Sequence, residues 1–204
     1  MALRAHRPTP ARPPRRHRVR DGRRTEHSYR VAADGFWQVH REAPALLAEA
    51  VLRRRPIDEG TVVDLYSGAG LFTLPLADAV GETGRVVAIE GDERAVKDAR
   101  RNAFEKPQVE LHHGPVDKVL AARTTPHRRP TSSSSTHREP VPPQDRRRRG
   151  RAPGAARRLC RVRPAALARD IAYFAKHGYA VESVTGYDLF PHTHHVEAIA
   201  VLTR

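Results

Sequence analysis

The sequence is poor in the residues that mark secreted scaffolds and membrane spans. A single cysteine, Cys160, among 204 residues excludes an intramolecular disulfide framework and a cysteine-only cluster. No apolar run approaches the roughly 20 residues that a membrane-spanning helix needs, and no apolar signal core stands near the N-terminus. The chain is therefore read as cytoplasmic, monomeric and without a membrane partner. Lysine is scarce, since only Lys97, Lys106, Lys118 and Lys176 accompany the arginines among 37 basic residues.

Positive charge is abundant but confined. Residues 1–30 hold ten Arg against Asp21 and Glu26, and residues 121–163 hold thirteen Arg against Glu139 and Asp145. These segments contribute +8 and +11 to a total of +14, so everything else is net −5. Both are rich in Pro, Arg or Ser and lack apolar periodicity, a composition that cannot bury enough surface to fold. Residues 1–28 are thus expected to be a disordered basic arm and 121–163 an aberrant low-complexity segment. Between and after them, residues 29–120 and 164–204 carry the pattern of a folded domain.

That pattern centres on Val62-Val63-Asp64-Leu65-Tyr66-Ser67-Gly68-Ala69-Gly70 and on Val86-Val87-Ala88-Ile89-Glu90. An apolar run, a glycine turn, a helical stretch and a second apolar run ending in a carboxylate form a βαβ unit. Backbone at Gly68 and Gly70 can approach a nucleotide-like ligand, while Glu90 can take two ribose hydroxyls. A dinucleotide loop wants a third glycine three positions after the second, and Thr73 stands there, which favours S-adenosylmethionine over a pyrophosphate-bearing ligand. Any βαβ unit with a tight turn would share the bare pattern.

Around it the order of elements reads β-α-β-α-β-α, which implies a parallel sheet. Strands are expected near 27–31, up to Tyr66, over Arg85–Glu90 and over 108–112. Helices are expected over 44–55, from about Leu71 to Val80 and from Asp92 to about Ala103, and Pro115 to Leu120 starts another helix or a turn. After the low-complexity segment, Pro164 to Gly178 reads as an amphipathic helix, and two alternating strands make an antiparallel ending. Trp37, beside Gln38 and His40, either plugs the core or lines a ligand pocket. No metal is expected. His112 and His113 lack a third ligand, and His192, His194 and His195 alternate faces on an extended chain.

Five stretches, in this order, resemble the RNA 5-methyluridine methyltransferase family. They are Phe36-Trp37-Gln38-Val39-His40, Asp64 to Gly70, Ala88-Ile89-Glu90, Pro164-Ala165-Ala166-Leu167-Ala168-Arg169-Asp170 and His194-His195-Val196-Glu197. The resemblance implies a Rossmann-like α/β fold and an enzyme that methylates C5 of uridine in ribosomal or transfer RNA with S-adenosylmethionine. Gln38, Tyr66 and Glu90 match cofactor-contacting positions, and Glu197 matches the general base, a role that partial burial would favour by raising its pKa. In the family's chemistry a cysteine thiolate adds to C6 of uracil, the enolate takes the methyl group, and a carboxylate removes the C5 proton. Leu71 departs from the Asn often found after the glycine turn. The N-terminal RNA-binding domain usual in the family is expected to be missing.

Two motifs that the resemblance requires are also missing: an apolar strand ending Asp-Pro-Pro-Arg, and Cys-Asp-Pro leading into the Pro164 helix. Arg161-Val162-Arg163-Pro164 stands at the second place. Both are recoverable from shifted codons. Thr131 to Pro140 can be written so that, two bases in, it reads Val-Val-Val-Val-Asp-Pro-Pro-Arg-Thr. Leu159 to Pro164 can be written so that, one base in, it reads Tyr-Val-Ala-Cys-Asp. Residues from about 121 to 163 are accordingly read as a frame-shifted translation, leaving one or two central strands disrupted and the chain inactive. The rival readings are a genuine basic insertion, a methyltransferase acting on a small molecule or protein, and an arginine-rich RNA-binding protein with a vestigial domain.

Overall fold

The computed structural model describes residues 13–23, 25–53, 60–122, 132–137, 156–161, 164–176, 178–193 and 195–203. Its elements, in chain order, are β1 (Arg15–Arg20), β2 (Glu26–Val31), α1 (Ala43–Leu52), β3 (Thr61–Leu65), α2 (Thr73–Val80), β4 (Arg85–Glu90) and α3 (Glu93–Asn102). Then follow β5 (Val109–His113), α4 (Val116–Ala122), β6 (Ser132–His137), β7 (Ala156–Arg161), α5 (Pro164–Ala175), β8 (Ala180–Tyr187) and β9 (Glu197–Thr203).

Seven strands form one sheet in the order β5-β4-β3-β6-β7-β9-β8. The first five are parallel to their neighbours, and β9 inserts antiparallel between β7 and β8. The order reverses direction between β3 and β6. In an open α/β sheet such a switch point opens a crevice at the carboxyl ends of the strands. The core strands are continuous apolar runs because both faces are covered. Val62, Leu65, Val86, Ala88 and Ile89 are all buried. Helix α3 begins under the Asp92 carboxylate, which accepts the Ala95 N–H at 2.7 Å, and ends with Arg100 and Arg101 at the negative dipole end.

Two expectations need correcting. Residues 1–28 are not wholly without structure, because β1 pairs antiparallel with β2 from Arg15↔Val31 to Arg20↔Glu26. The sequence misled because arginine occupies alternate outward positions, whereas Val19 alone on β1 enters the core beside Tyr29 and Val31. Residues 121–163 likewise contribute β6 and β7 to the sheet centre. Strand pairing is made by backbone groups, so a ladder forms in register, Val62↔Ser132 to Leu65↔Ser135, despite the polar composition. The disruption expected beside β3 therefore lies in residue type, SSSSTH, and not in a gap.

Candidate functional site

The glycine turn begins where β3 ends. Tyr66 takes a left-handed backbone, φ 58°, which costs a bulky residue energy and bends the chain sharply off the sheet. Gly68 and Gly70 continue at φ 56° and 93°. Ser67 donates its N–H to the Ile89 carbonyl at 3.2 Å, tying the turn to the end of β4. A Cβ built on Gly68 would meet nothing within 4 Å, so its backbone faces open space, whereas one on Gly70 would touch Leu74 at 3.3 Å.

Glu90 closes the site from the neighbouring strand. One carboxylate oxygen accepts the Gly68 N–H at 2.8 Å and the other accepts the Asp92 N–H at 2.8 Å. Tyr66 packs on the cluster of Val63, Leu65, Val87, Ile89 and Val116. Tyr66 and Glu90 thus stand at the carboxyl ends of the adjacent parallel strands β3 and β4. Ser67 Oγ is buried there without a hydrogen-bond partner among the described residues. An orphaned hydroxyl, open space over a glycine and a carboxylate able to accept two hydroxyls match the polar edge of an adenosine-type ligand.

Glu197 opens β9 and is buried, 3% exposed. Because Arg161 pairs with Ala198 in antiparallel sense, the start of β9 lies at the carboxyl end of β7. Glu197 therefore occupies the same sheet edge as Tyr66 and Glu90. Three strand spacings, about 14 Å, separate β9 from β3. Gln38 lies in the half-buried connection between β2 and α1 and makes no hydrogen bond among the described residues. Its neighbour Trp37 stacks on His17 at 4.5 Å and leans on Tyr29 at 5.0 Å, so the plug reading of Trp37 fits. His194 lies outside the described residues. Among the described residues no group of three or more His, Cys, Asp or Glu could hold a metal, and no helix is long and apolar enough to cross a membrane.

Three supporting residues escaped the sequence reading. Thr73, noted only as a missing glycine, is fully buried and donates its hydroxyl to Asp64 at 2.6 Å. Tyr29 donates to the Leu71 carbonyl at 3.0 Å, and burial together with Asp21, Asp64 and Asp78 holds its phenol well above the usual range, so it remains a donor. Asn102 donates to the carbonyls of Ala69, at 3.0 Å, and Arg30, at 3.2 Å, while accepting the Arg30 N–H at 2.8 Å. Sequence spacing carries no mark of such contacts, which join residues 33 and 72 positions apart.

Comparison with known proteins finds RNA methyltransferases among the chain's relatives. An RNA methyltransferase of Streptomyces avermitilis is 39% identical over 191 residues, covering 89% of this chain and 41% of that protein. The 23S rRNA (uracil(1939)-C(5))-methyltransferase RlmD of Acinetobacter baylyi is 36% identical over 156 residues, covering 70% of this chain and 31% of that protein. The chain is similar to these RNA methyltransferases over 70–89% of its own length. It spans about two fifths of the length of the RNA methyltransferases from Streptomyces that it matches. No family model matches the chain. Among solved structures, Aeropyrum pernix fibrillarin, in complex with natively bound S-adenosyl-L-methionine, superposes with a TM-score of 0.62 at 14% identity, covering 88% of this chain and 90% of that one. The chain thus has the Rossmann-like methyltransferase fold.

Proposed function

We propose that this chain is the cofactor-binding part of an S-adenosylmethionine-dependent methyltransferase acting on C5 of uridine in RNA, and that it does not complete methyl transfer as encoded. The observation that carries the first half is the Glu90 carboxylate held on the Gly68 N–H across two adjacent strand ends. When bound, S-adenosylmethionine supplies an electrophilic methyl group on a sulfonium. Glu90 accepts the ribose hydroxyls, Gly68 lets the ligand approach backbone, Ser67 Oγ offers one more polar contact, and Tyr66 and Gln38 border the ligand. Glu197, buried at the same sheet edge, is the carboxylate that would accept the C5 proton.

The second half rests on the residues between β6 and α5. The family reaction needs a thiolate just before the Pro164 helix, and β7 there ends at Arg161 with Val162 and Arg163 following. The codon run that admits Val-Val-Val-Val-Asp-Pro coincides with β6, Ser132–His137, and the run that admits Tyr-Val-Ala-Cys-Asp overlaps the end of β7. The coincidence supports the frame-shift reading, since both lost motifs would then stand on the sheet edge beside Tyr66. Transfer of label from methyl-tritiated cofactor to uridine-containing RNA tests the proposal. The wild-type chain is expected to give none, and robust incorporation into C5 of uridine would overturn the claim of inactivity.

A further inference from the structure

The hairpin β1–β2 carries a charge arrangement that folding alone does not favour. Its inward positions are apolar or aromatic, with Val19, Tyr29 and Val31 buried. Its outward face presents Arg16, Arg18 and Arg20 on one strand and Glu26, Ser28 and Arg30 on the other. Arg18 and Arg20 reach Glu26 at 3.4 and 4.0 Å. Arg16 instead stands directly opposite Arg30. Like charges at facing positions on an antiparallel pair destabilise it. Both side chains are exposed, and among the described residues neither has a carboxylate within ion-pair distance.

This face does not stand apart from the crevice. Asn102 clamps the backbone of Arg30 to the Ala69 carbonyl of the glycine turn. Tyr29, the residue before Arg30, is bonded to Leu71 in the same turn. Beside Arg30 an open cleft of about 680 Å³ runs between the hairpin and α3, lined by Ala33, Arg94, Asp98 and Arg101 as well. In it Arg94 pairs with Asp34 and Arg101 with Asp98. Arg30 remains available at the rim.

We propose that the outward face of this hairpin, with Arg16 and Arg30 at its centre, grips the phosphodiester backbone of the RNA substrate and leads it past the glycine turn. The inference rests on the RNA reading above and adds to it a docking surface. Guanidinium groups match phosphate oxygens in bidentate fashion, and two facing arginines bridge a phosphate that neutralises their mutual repulsion. Such contacts position RNA and do not read its sequence. A membrane surface would also attract arginine, but the clamp to the glycine turn favours an occupant of the adjacent crevice.

Fluorescence anisotropy of the full chain with a labelled 20-nucleotide uridine-rich RNA tests this between 50 and 200 mM salt. The double variant Arg16→Gln, Arg30→Gln is compared with a charge-matched control, Arg100→Gln, Arg169→Gln, on exposed helical positions. The hairpin variant is expected to bind at least tenfold more weakly and to lower the slope of log affinity against log salt by about 1.4, for two lost phosphate contacts on a single strand. The control should change affinity less than twofold. Equal effects of the two variants, or an unchanged hairpin variant, overturn the proposal. S-adenosylmethionine affinity, measured in parallel, separates the two readings. A wild-type chain that binds cofactor but not RNA sinks the hairpin proposal alone, and one that binds neither sinks both. Should the hairpin variant lose cofactor affinity through misfolding, crosslinking of the wild-type chain to 4-thiouridine RNA decides. Adducts within residues 15–34 are expected, and their absence there overturns the proposal.

Discussion

Glu90 accepts the backbone N–H of Gly68 at 2.8 Å, across the gap between two parallel strand ends. The bond explains how a side chain 22 residues away shapes the glycine turn. It also fixes what the turn tolerates. Gly68 sits at φ 56° with open space where a Cβ would lie. Gly68→Ala should cost about 1–2 kcal/mol through the left-handed backbone and place a methyl group where the ligand approaches. Cofactor affinity should therefore fall by more than the loss of stability accounts for. Calorimetric titration beside thermal denaturation measures both, and equal loss of neither or of stability alone would contradict this placement.

Asn102 is the clamp between the hairpin, α3 and the glycine turn. Asn102→Ala removes three hydrogen bonds and is expected to destabilise the fold by about 1–3 kcal/mol, with faster hydrogen exchange at the Arg30 amide. Asn102→Asp keeps the acceptor for Arg30 but loses both donors, so Arg30 protection should survive while the turn at Ala69 loosens. Identical exchange in both variants would contradict the assignment.

His17 should make the fold more sensitive to mild acid. Burial, and then the nearby Arg15, lower its pKa below the usual 6.5, and its Nε2 has no hydrogen-bond partner among the described residues. The unfolded chain therefore binds this proton more readily than the folded one. Stability is fully present above the ordinary histidine range and is lost as pH falls from about 6.5 toward the lowered folded value. His17→Phe should keep the stack on Trp37 and flatten the dependence of the denaturation midpoint between pH 7 and 5. A wild-type midpoint that rises on acidification through this window would have the wrong sign.

The centre of the sheet should be its weakest part. β6 lies between β3 and β7, and the facing residues Val62, Val63 and Leu65 of β3 are buried. Changing Ser132, Ser133, Ser134 and Ser135 to Val restores β-branched apolar residues and should raise stability by several kcal/mol, at about 0.8 kcal/mol per buried methylene. A lower or unchanged midpoint in urea would argue that the serines suit this strand. Reading the coding DNA bears on the cause: codons that forbid Val-Val-Val-Val-Asp-Pro-Pro-Arg in a shifted frame exclude the frame-shift account.

Much of this was legible because apolar runs and glycines announce a parallel sheet. Arg85–Glu90 was delimited to the residue, since Gly84 precedes it and Gly91 follows. Helix α2 begins two residues later than expected, at Thr73, because Leu71 and Phe72 are spent in the turn. β1 was illegible because one buried valine gives no alternation, and its cohesion comes from long-range contact with α1 and Trp37. β6 was not expected to form, because its run of serines carries no apolar pattern and residues 121–163 read as unable to fold. Tyr66 and Glu90 stand at the ends of the adjacent parallel strands β3 and β4, where the apolar runs that announced those strands stop. Thr73, Tyr29 and Asn102 could not be singled out, because their partners are distant in sequence and backbone carbonyls or buried carboxylates leave no local signature.

The most direct measurement is equilibrium binding of S-adenosylmethionine to the full chain and to Glu90→Ala. The wild-type chain should bind with micromolar affinity, and Glu90→Ala should bind at least tenfold more weakly, because a bidentate acceptor for two hydroxyls is worth more than 1.4 kcal/mol. A wild-type chain that binds no cofactor, or a variant that binds as tightly as wild type, would contradict the assignment of the crevice between Tyr66 and Glu90.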